Sequence, residues 1–409
     1  MKKLHKTIYL DHAATTPVDP RVLKAMQPYW SQVFANPSAL YKAGREASKA
    51  IESSRAEIAK VLNCKPQEII FTAGGTESNN MAILGLAQNY QKTFGKAGHI
   101  ISTPIEHHSV LHVLEALKNW GWKISYAKID NEGFVDLTDL KKLVRKDTAL
   151  ISIMYANNEI GTIEPISEVG KWLSGLNKAR TQKELPAIRL HTDACQAAGA
   201  LSLDVHELKV DLLTLNGSKI YGPKQTGILF IRNDVTIEPT IHGGGQERDL
   251  RSGTENVPGI VGLSTALTIA QKERTKENKR LQALQSYFTD RLSKKVKDIK
   301  VNGPIINSKT KNSFDRLPNN INVSFKNIEG ETLMLYLDNK GIAVATGSAC
   351  ATASLDPSHV LIAIGESKQT AYSAIRFTMG KSTTKQSLDF VLGALIELVP
   401  MLRKVNRLN

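Results

Sequence analysis

Four features of this sequence carry residue types suited to chemistry, and each follows a short apolar run. His107 is an imidazole, which can stack on an aromatic ring or move protons near neutral pH. Asp193 is a carboxylate that is costly to bury without a cationic partner. Lys219 lies among small residues, and a partly desolvated lysine can form a Schiff base with an aldehyde. The turn at Gly75 and Thr76 opens a helix, whose free N–H groups and positive dipole end suit a phosphate.

Each feature has an ordinary structural explanation when it is taken alone. Turns with Gly and Thr between a strand and a helix often serve geometry only, and Asp193 could cap the following helix. A single lysine is by default a solvated surface group, and a single histidine is more often structural. Together, however, a phosphate cradle, an imidazole, a carboxylate and a lysine are what pyridoxal phosphate requires. The four features therefore predict a site for this cofactor.

The elements that must position these residues alternate between strands and helices from about residue 68 to residue 232. This alternation predicts a mainly parallel sheet with helices on both faces, in which ligands bind at the carboxyl ends of the strands. After Pro258 a long helical pattern extends to about Lys294, and strands near residues 321–325 and 375–377 follow it. We therefore expect an α/β fold with a large domain, residues 15–260, and a smaller α+β domain, residues 1–14 and 261–409.

A run of small residues, 345–354, surrounds Cys350 in the second part of the chain. No apolar period fits this run, so we expect a mobile loop at about residues 345–370. A cysteine in such a loop is poorly placed for packing and well placed for reaction. Arg376 falls on a predicted strand. A buried arginine requires an anion, and the carboxylate of a substrate would fit its planar fork.

The composition narrows the class of protein. Of the 409 residues, 41% are apolar and 22% are charged, which suits a globular chain with an ordinary core. No apolar stretch is long enough to span a membrane and no signal-peptide pattern is present, so we expect a cytoplasmic protein. The three cysteines lack zinc-ligand spacing, and their odd number argues against a disulfide framework.

Neither a resident metal nor a nucleic acid is expected as a ligand. His108 and His112 could share a helix face, but no third ligand accompanies them. The net charge of +14 is dispersed along the chain without a nucleic-acid-binding motif. We therefore expect no direct contact with nucleic acid, although an acidic protein partner would suit this charge.

The motifs and their order resemble those of the cysteine desulfurases, in the class V branch of the fold-type I transferases that use pyridoxal phosphate. The matching segments span nearly the whole chain, so the resemblance is highly specific. They are residues 9–17 (YLDHAATTP), 36–38 (NPS), 75–80 (GTESNN), 106–107 (EH), 157–161 (NNEIG), 193–196 (DACQ), 218–224 (SKIYGPK), 242–247 (HGGGQE), 251–254 (RSGT) and 347–350 (GSAC).

The resemblance implies a set of cofactor contacts. Lys219 forms the Schiff base and moves the α-proton, and His107 stacks on the pyridine ring and takes part in acid–base chemistry. Asp193 pairs with the ring nitrogen, and Gln196 reaches the ring hydroxyl. Further cofactor contacts are implied for Gly75, Thr76, Asn158, Asn216, Ser218 and Thr254. Thr254 in such enzymes reaches the phosphate of the partner subunit, which implies a homodimer.

The resemblance also implies how the substrate, L-cysteine, is handled. Asn158 and Arg376 hold its carboxylate, and Asn36 is a further substrate contact. Cys350 attacks the substrate sulfur, releases L-alanine and keeps the sulfur as a persulfide. A thiol with an ordinary pKa near 8.5 is only a few per cent ionised at pH 7, so its surroundings must favour the thiolate.

Two positions depart from the usual pattern of the family. Ser218 stands where histidine is frequent before the Schiff-base lysine, and Asn216 stands where serine is frequent. A hydroxyl at residue 218 can still donate to a phosphate, but a cation is lost. We therefore expect weaker cofactor binding.

The spacing of Cys350 distinguishes two branches of this family. About 25 residues separate it from Arg376, which indicates a long loop able to carry sulfur outward. The Arg-x-Gly-His-His-Cys context of the short-loop branch is absent. The chain thus resembles the long-loop branch, which hands sulfur to iron–sulfur scaffold proteins and often to tRNA-thiolation proteins. This resemblance implies that Cys350 can contact a transient iron–sulfur cluster.

Three other functions compete with this one. A class V aminotransferase or a selenocysteine lyase would use the same cofactor, but transamination needs no thiol such as Cys350. A sulfur-relay or scaffold protein without turnover would not need every catalytic position, and all that can be matched are present. A basic RNA-binding protein would concentrate its charge on one face.

Overall fold

The computed structural model describes residues 7–305, 309–310, 313–347 and 356–405. Its strands in chain order are β1 (Ile8–Tyr9), β2 (Ile69–Thr72), β3 (His99–Ser102), β4 (Lys123–Tyr126), β5 (Thr148–Ser152), β6 (Arg189–Asp193), β7 (Leu212–Asn216), β8 (Gly227–Ile231), β9 (Ile299–Asn302), β10 (Lys309–Thr310), β11 (Ser313–Phe314), β12 (Asn320–Phe325), β13 (Ile342–Ala343) and β14 (Ala374–Thr378). Cys350 and the part of its predicted loop at residues 348–355 lie outside the described residues.

The helices cover both faces of the larger sheet and pack on the second part of the chain. In chain order they are α1 (Pro20–Met26), α2 (Pro28–Ser31), α3 (Lys42–Leu62), α4 (Gly75–Phe94), α5 (His108–Asn119), α6 (Leu137–Lys142), α7 (Ile166–Thr181), α8 (Val205–Leu208), α9 (Val257–Lys295), α10 (Gly330–Asn339), α11 (His359–Ala363), α12 (Lys368–Tyr372) and α13 (Lys385–Val405). Within the described ranges, no helix is both long enough and apolar enough to cross a membrane.

Seven strands form the central sheet, in the order β2-β8-β7-β6-β5-β3-β4. Strand β8 runs antiparallel to both of its neighbours, and the other neighbouring pairs are parallel. Successive strand residues enter different cores: Ile70 and Leu212 pack in one core, and Phe71 and Leu213 pack in another. Apolar side chains on both faces are typical of a sheet buried between helices. The predicted mainly parallel sheet flanked by helices is therefore confirmed.

The second part of the chain forms a smaller antiparallel sheet in the order β14-β12-β9. Helices α10 and α13 contribute Leu333 and Leu395 to its core. Helix α9 joins the two parts, because its early residue Leu263 belongs to the large core and its late residue Phe288 to the small one. The boundary between two domains at residue 260 stays a prediction, since α9 runs through it.

Candidate functional site

A cavity of about 820 Å³ lies at the carboxyl ends of the central strands. Parallel strands place their last residues at one edge of a sheet, which is where ligands of such folds bind. Most of the predicted site residues line this cavity: Gly75, Thr76, His107, Asn158, Asp193, Gln196, Asn216, Lys219 and Arg376. Residues distant in sequence therefore meet at one place.

Asp193 is the last residue of β6, and its carboxylate is buried with only neutral hydrogen-bond donors. Its Oδ1 accepts from the Cys195 N–H at 2.9 Å, and its Oδ2 accepts from Asn79 Nδ2 at 2.7 Å. The residue is 7% exposed, and within the described part of the chain its carboxylate has no ion-pair partner. A buried carboxylate of this kind fits a cationic ring nitrogen in the cavity.

His107 occupies the N-cap position of α5, with its ring against the cavity. Burial lowers its pKa; the negative charge of Asp193 acts in the opposite direction, and the positive charge of Lys219 lowers the pKa further. The preceding residue, Glu106, anchors this turn, because its Oε1 accepts from the Met154 N–H at 2.8 Å and from Thr103 Oγ1 at 2.8 Å. Neutral His107 suits stacking on an electron-poor ring.

The N-terminal segment closes one side of the cavity. Lys219 Nζ donates to the carbonyl oxygen of Ala14 at 2.5 Å, and Gln196 Nε2 donates to the carbonyl oxygen of Ala13 at 3.0 Å. Sequence reasoning matched this segment to the family but gave Ala13 and Ala14 no role. Every residue has a backbone carbonyl, so residue types cannot predict which carbonyl accepts a hydrogen bond.

The start of α4 forms a cradle that only a small residue permits. Gly74 caps the helix with φ of 144°, a conformation that side chains disfavour. A Cβ atom at Gly75 would lie 2.8 Å from Cys195 Sγ. Thr76 is exposed in the first helical turn. Backbone approach, a hydroxyl and a helix N-terminus together suit a phosphate.

The two positions that depart from the family pattern lie together. Ser218 Oγ donates to Asn216 Oδ1 at 3.5 Å. Asn216 lines the cavity beside Gly75, whereas Ser218 is not among the lining residues. The predicted weakening of cofactor binding by Ser218 stays a prediction.

Arg376 on β14 is held by two partners. Its Nη2 donates to Asp11 Oδ1 at 2.7 Å, and its Nη1 donates to the carbonyl oxygen of Asn158 at 3.0 Å. The side chain is 3% exposed, and its Nε has no hydrogen-bond partner in the described ranges. Because the guanidinium is fixed at the cavity wall with donor capacity left, it suits a carboxylate ligand.

Two further predicted site residues, Asn36 and Thr254, lie away from the cavity. Asn36 is exposed, and its Oδ1 accepts from the Ser38 N–H at 2.9 Å. Thr254 is also exposed, and neither residue lines the cavity of its own chain. Cys350 lies outside the described residues. Their proposed roles stay predictions.

Glu159 lies beside Gly347 and Ser358, which flank the segment that contains Cys350. Its Oε2 accepts from Ser358 Oγ at 2.5 Å, and a Cβ atom at Gly347 would lie 2.9 Å from the same oxygen. Burial raises the pKa of Glu159 to about 7, against the lowering effects of Ser358 and Arg376. Sequence reasoning missed Glu159, although it lies in the matched 157–161 motif.

The raised pKa predicts a pH-dependent stability that Glu159→Gln removes. Glu159 keeps its proton in the folded state from its ordinary pKa of 4.5 up to about 7, whereas the unfolded state loses it. Stability from this group is therefore present below pH 4.5 and falls as the pH rises through this window. Relative to the variant, we expect the wild-type free energy of unfolding to drop by on the order of 2–4 kcal/mol.

Urea unfolding at a series of pH values measures this difference. Glu168→Gln, at an exposed position on α7, is the matched control and should parallel the wild type. Parallel stability curves for wild type and Glu159→Gln would contradict the assigned protonation state.

Comparison with known proteins supports one family. The aminotransferase class-V family matches residues 8–391. The chain is similar to "Cysteine desulfurase IscS" of Dictyoglomus turgidum, with 48% identity over 403 residues, 98% of this chain and 97% of the relative. A solved structure described as "NIFS-LIKE PROTEIN" superposes with a TM-score of 0.87 at 38% identity, covering 97% of this chain and all of that one. Another, "SspA in complex with cysteine", has a TM-score of 0.75 at 34% identity and covers 91% of this chain and 99% of that one.

Proposed function

Since this chain belongs to the class-V aminotransferase family and, within it, to the cysteine desulfurases, we propose that its cavity converts L-cysteine to L-alanine and passes the sulfur to a protein thiol. The observation that carries this assignment to the cavity is the buried Asp193 carboxylate, which lies near Lys219 and His107 without an ion-pair partner in the described chain. A relative described in complex with cysteine supports the substrate.

Pyridoxal phosphate is the cofactor of this family, and the cavity residues fit it. When bound, it withdraws electrons from the α-carbon of an amino acid attached to it. Asp193 would hold the ring nitrogen, His107 the ring face and Gln196 the ring hydroxyl. Gly75 and Thr76, with the N-terminus of α4, would hold the phosphate. Lys219 would hold the aldehyde carbon and move the α-proton.

The substrate contacts follow from the fixed guanidinium of Arg376. Its position beside Asn158 would hold the carboxylate of L-cysteine at the cavity wall. A thiolate at Cys350 would then attack the substrate sulfur. The carbon–sulfur bond breaks, a sulfur–sulfur bond forms at Cys350, and protonation of the carbon completes L-alanine. The electron pair of the broken carbon–sulfur bond goes to the carbon, and the sulfur becomes the outer atom of the persulfide. The step therefore needs no external oxidant.

The surface outside the cavity suits two protein partners. Trp30, Phe34, Leu40 and Tyr41 are exposed around α2 and the start of α3, and such a cluster favours an interface. We propose that a second copy covers it in a homodimer, to which Thr254 contributes. The sulfur acceptor would be an iron–sulfur scaffold protein, and the charge of +14 favours an acidic one. A transient iron–sulfur cluster at Cys350 would be cargo, and the cytoplasmic location stays a prediction.

Asp193→Asn tests the cofactor assignment. Removing the charge that pairs with a buried cation costs about 3–5 kcal/mol, so cofactor affinity should fall by roughly 10²- to 10⁴-fold. Equilibrium dialysis of the cofactor against the full chain measures this loss. Asp136→Asn is the matched control, since Asp136 caps the distant helix α6. Equal affinity in wild type and Asp193→Asn would contradict the assignment.

A further inference from the structure

A row of hydrogen bonds connects His107 with Asp193 through two buried side chains. Asn79 Nδ2 lies 2.8 Å from Ser109 Oγ and 2.7 Å from Asp193 Oδ2. Ser109 Oγ lies 2.8 Å from His107 Nδ1, and the Ser109 N–H donates to the same nitrogen at 3.1 Å. Asn79 is 1% exposed and Ser109 is also buried. The Asn79 contacts are therefore shielded from solvent, and Ser109 carries the row to the cavity wall.

The direction of each hydrogen bond follows from counting hydrogens. An ionised Asp193 can only accept, so one amide hydrogen of Asn79 goes to it. The other amide hydrogen goes to Ser109 Oγ. Turning the amide over would place Asn79 Oδ1 against the carboxylate, with two acceptors facing each other. The observed orientation instead leaves Oδ1 without a partner in the described ranges.

The hydrogen bonds at Nδ1 of His107 determine whether that nitrogen carries a proton. Asn79 occupies one lone pair of Ser109 Oγ, and the Ser109 N–H, which can only donate, points at Nδ1, so the hydroxyl hydrogen goes to Nδ1 as well. Nδ1 then accepts from the hydroxyl and from the Ser109 N–H, so it carries no proton. His107 also caps α5, and the positive end of a helix disfavours an imidazolium. Burial lowers the pKa of His107 in the same direction.

We infer that Asn79 and Ser109 are positioning residues that fix His107 as a neutral imidazole with its proton on Nε2. His107 then presents a hydrogen-bond donor to the cavity and cannot act there as a base. A neutral imidazole in this state polarises a reacting group without an acid–base cycle. Proton transfer at the substrate then belongs to Lys219. This inference rests on the proposed function and narrows the role of His107 in it.

Nitrogen-15 spectroscopy of the full-chain holoenzyme tests the tautomer directly. The chain contains ten histidines, so His107→Gln identifies the His107 signals by their loss. Two-bond proton–nitrogen correlations at neutral pH should show a protonated Nε2 and an unprotonated Nδ1. A proton on Nδ1, or on both nitrogens, would overturn the inference.

Variants test Asn79 and Ser109, the two positioning residues in this row of hydrogen bonds, which we call the relay. In Asn79→Ala the Ser109 hydroxyl can turn and accept, so the population with a proton on Nδ1 should rise by about tenfold or more, as expected for loss of roughly 1.4 kcal/mol of preference. Asn89→Ala, on the same helix α4, is the control and should keep the wild-type spectrum. An unchanged tautomer in Asn79→Ala would remove Asn79 from the relay.

A second pair keeps the test decisive if Asn79→Ala does not fold. Ser109→Ala should raise the population of His107 with a proton on Nδ1. Ser109→Thr, which keeps the hydroxyl, should keep that population at the wild-type level. Equal spectra for the two Ser109 variants would contradict the relay. Alanine release measured on the same samples tests the proposed function separately, because the tautomer is read without turnover.

Discussion

Cys350→Ala is expected to abolish alanine formation from L-cysteine, with a loss on the order of 10³-fold or more, because no other cysteine can replace the thiolate. The chain has three cysteines. Burial raises the pKa of Cys64 to about 12 and raises that of Cys195 well above its usual range. Both are therefore thiols at neutral pH. Cys350 is the remaining candidate for the sulfur-accepting nucleophile.

The measurement is alanine and sulfide release from L-cysteine in the presence of dithiothreitol. Cys64→Ser is the matched control, since Cys64 is half-buried away from the cavity, and it should keep wild-type turnover. The visible absorbance of the cofactor should be the same in all three proteins. Undiminished alanine release by Cys350→Ala would contradict the assigned nucleophile.

Lys219→Ala is expected to remove both the visible absorbance of the Schiff base and alanine formation. Lys219 follows β7 and lines the cavity, with Nζ directed to the Ala14 carbonyl by a hydrogen bond. Loss of the amine removes the covalent attachment and the group proposed to move protons, so turnover should fall by at least about 10³-fold.

Absorbance spectra and alanine assays of the dialysed full chain measure these two effects. Lys171→Ala, at an exposed position on α7, is the control and should match the wild type. If Lys219→Ala kept the visible absorbance after dialysis, another amine would hold the cofactor, and the assignment would be wrong.

Sequence reasoning located the residues that follow strands because side-chain type and strand position are both visible in the chain. Asp193, Lys219 and His107 each end or follow a strand, and the parallel sheet brings them to one edge. The same reasoning could not give the antiparallel direction of β8, because apolar alternation carries no strand direction. The motif at residues 75–80 contained Asn79, yet its link to Asp193 requires the tertiary structure.

Contacts between residues far apart in the sequence could not be predicted, for a related reason. Arg376 was predicted from its type and strand, but its ion pair with Asp11 spans almost the whole chain. Glu159 and Ser358 meet only when the second part of the chain packs against the sheet. Asn36 and Thr254 do not line the cavity of their own chain, and their roles were predicted from the resemblance alone.

The central claim is that sulfur moves from L-cysteine to Cys350 as L-alanine forms. Its most direct test is a single turnover of the full chain with equimolar L-cysteine and no reductant, followed by alanine quantification and peptide mass mapping. We predict equimolar alanine and one additional sulfur atom on the peptide that contains Cys350. Alanine accompanied by free sulfide, or by the additional sulfur on the Cys64 or Cys195 peptide, would contradict the account.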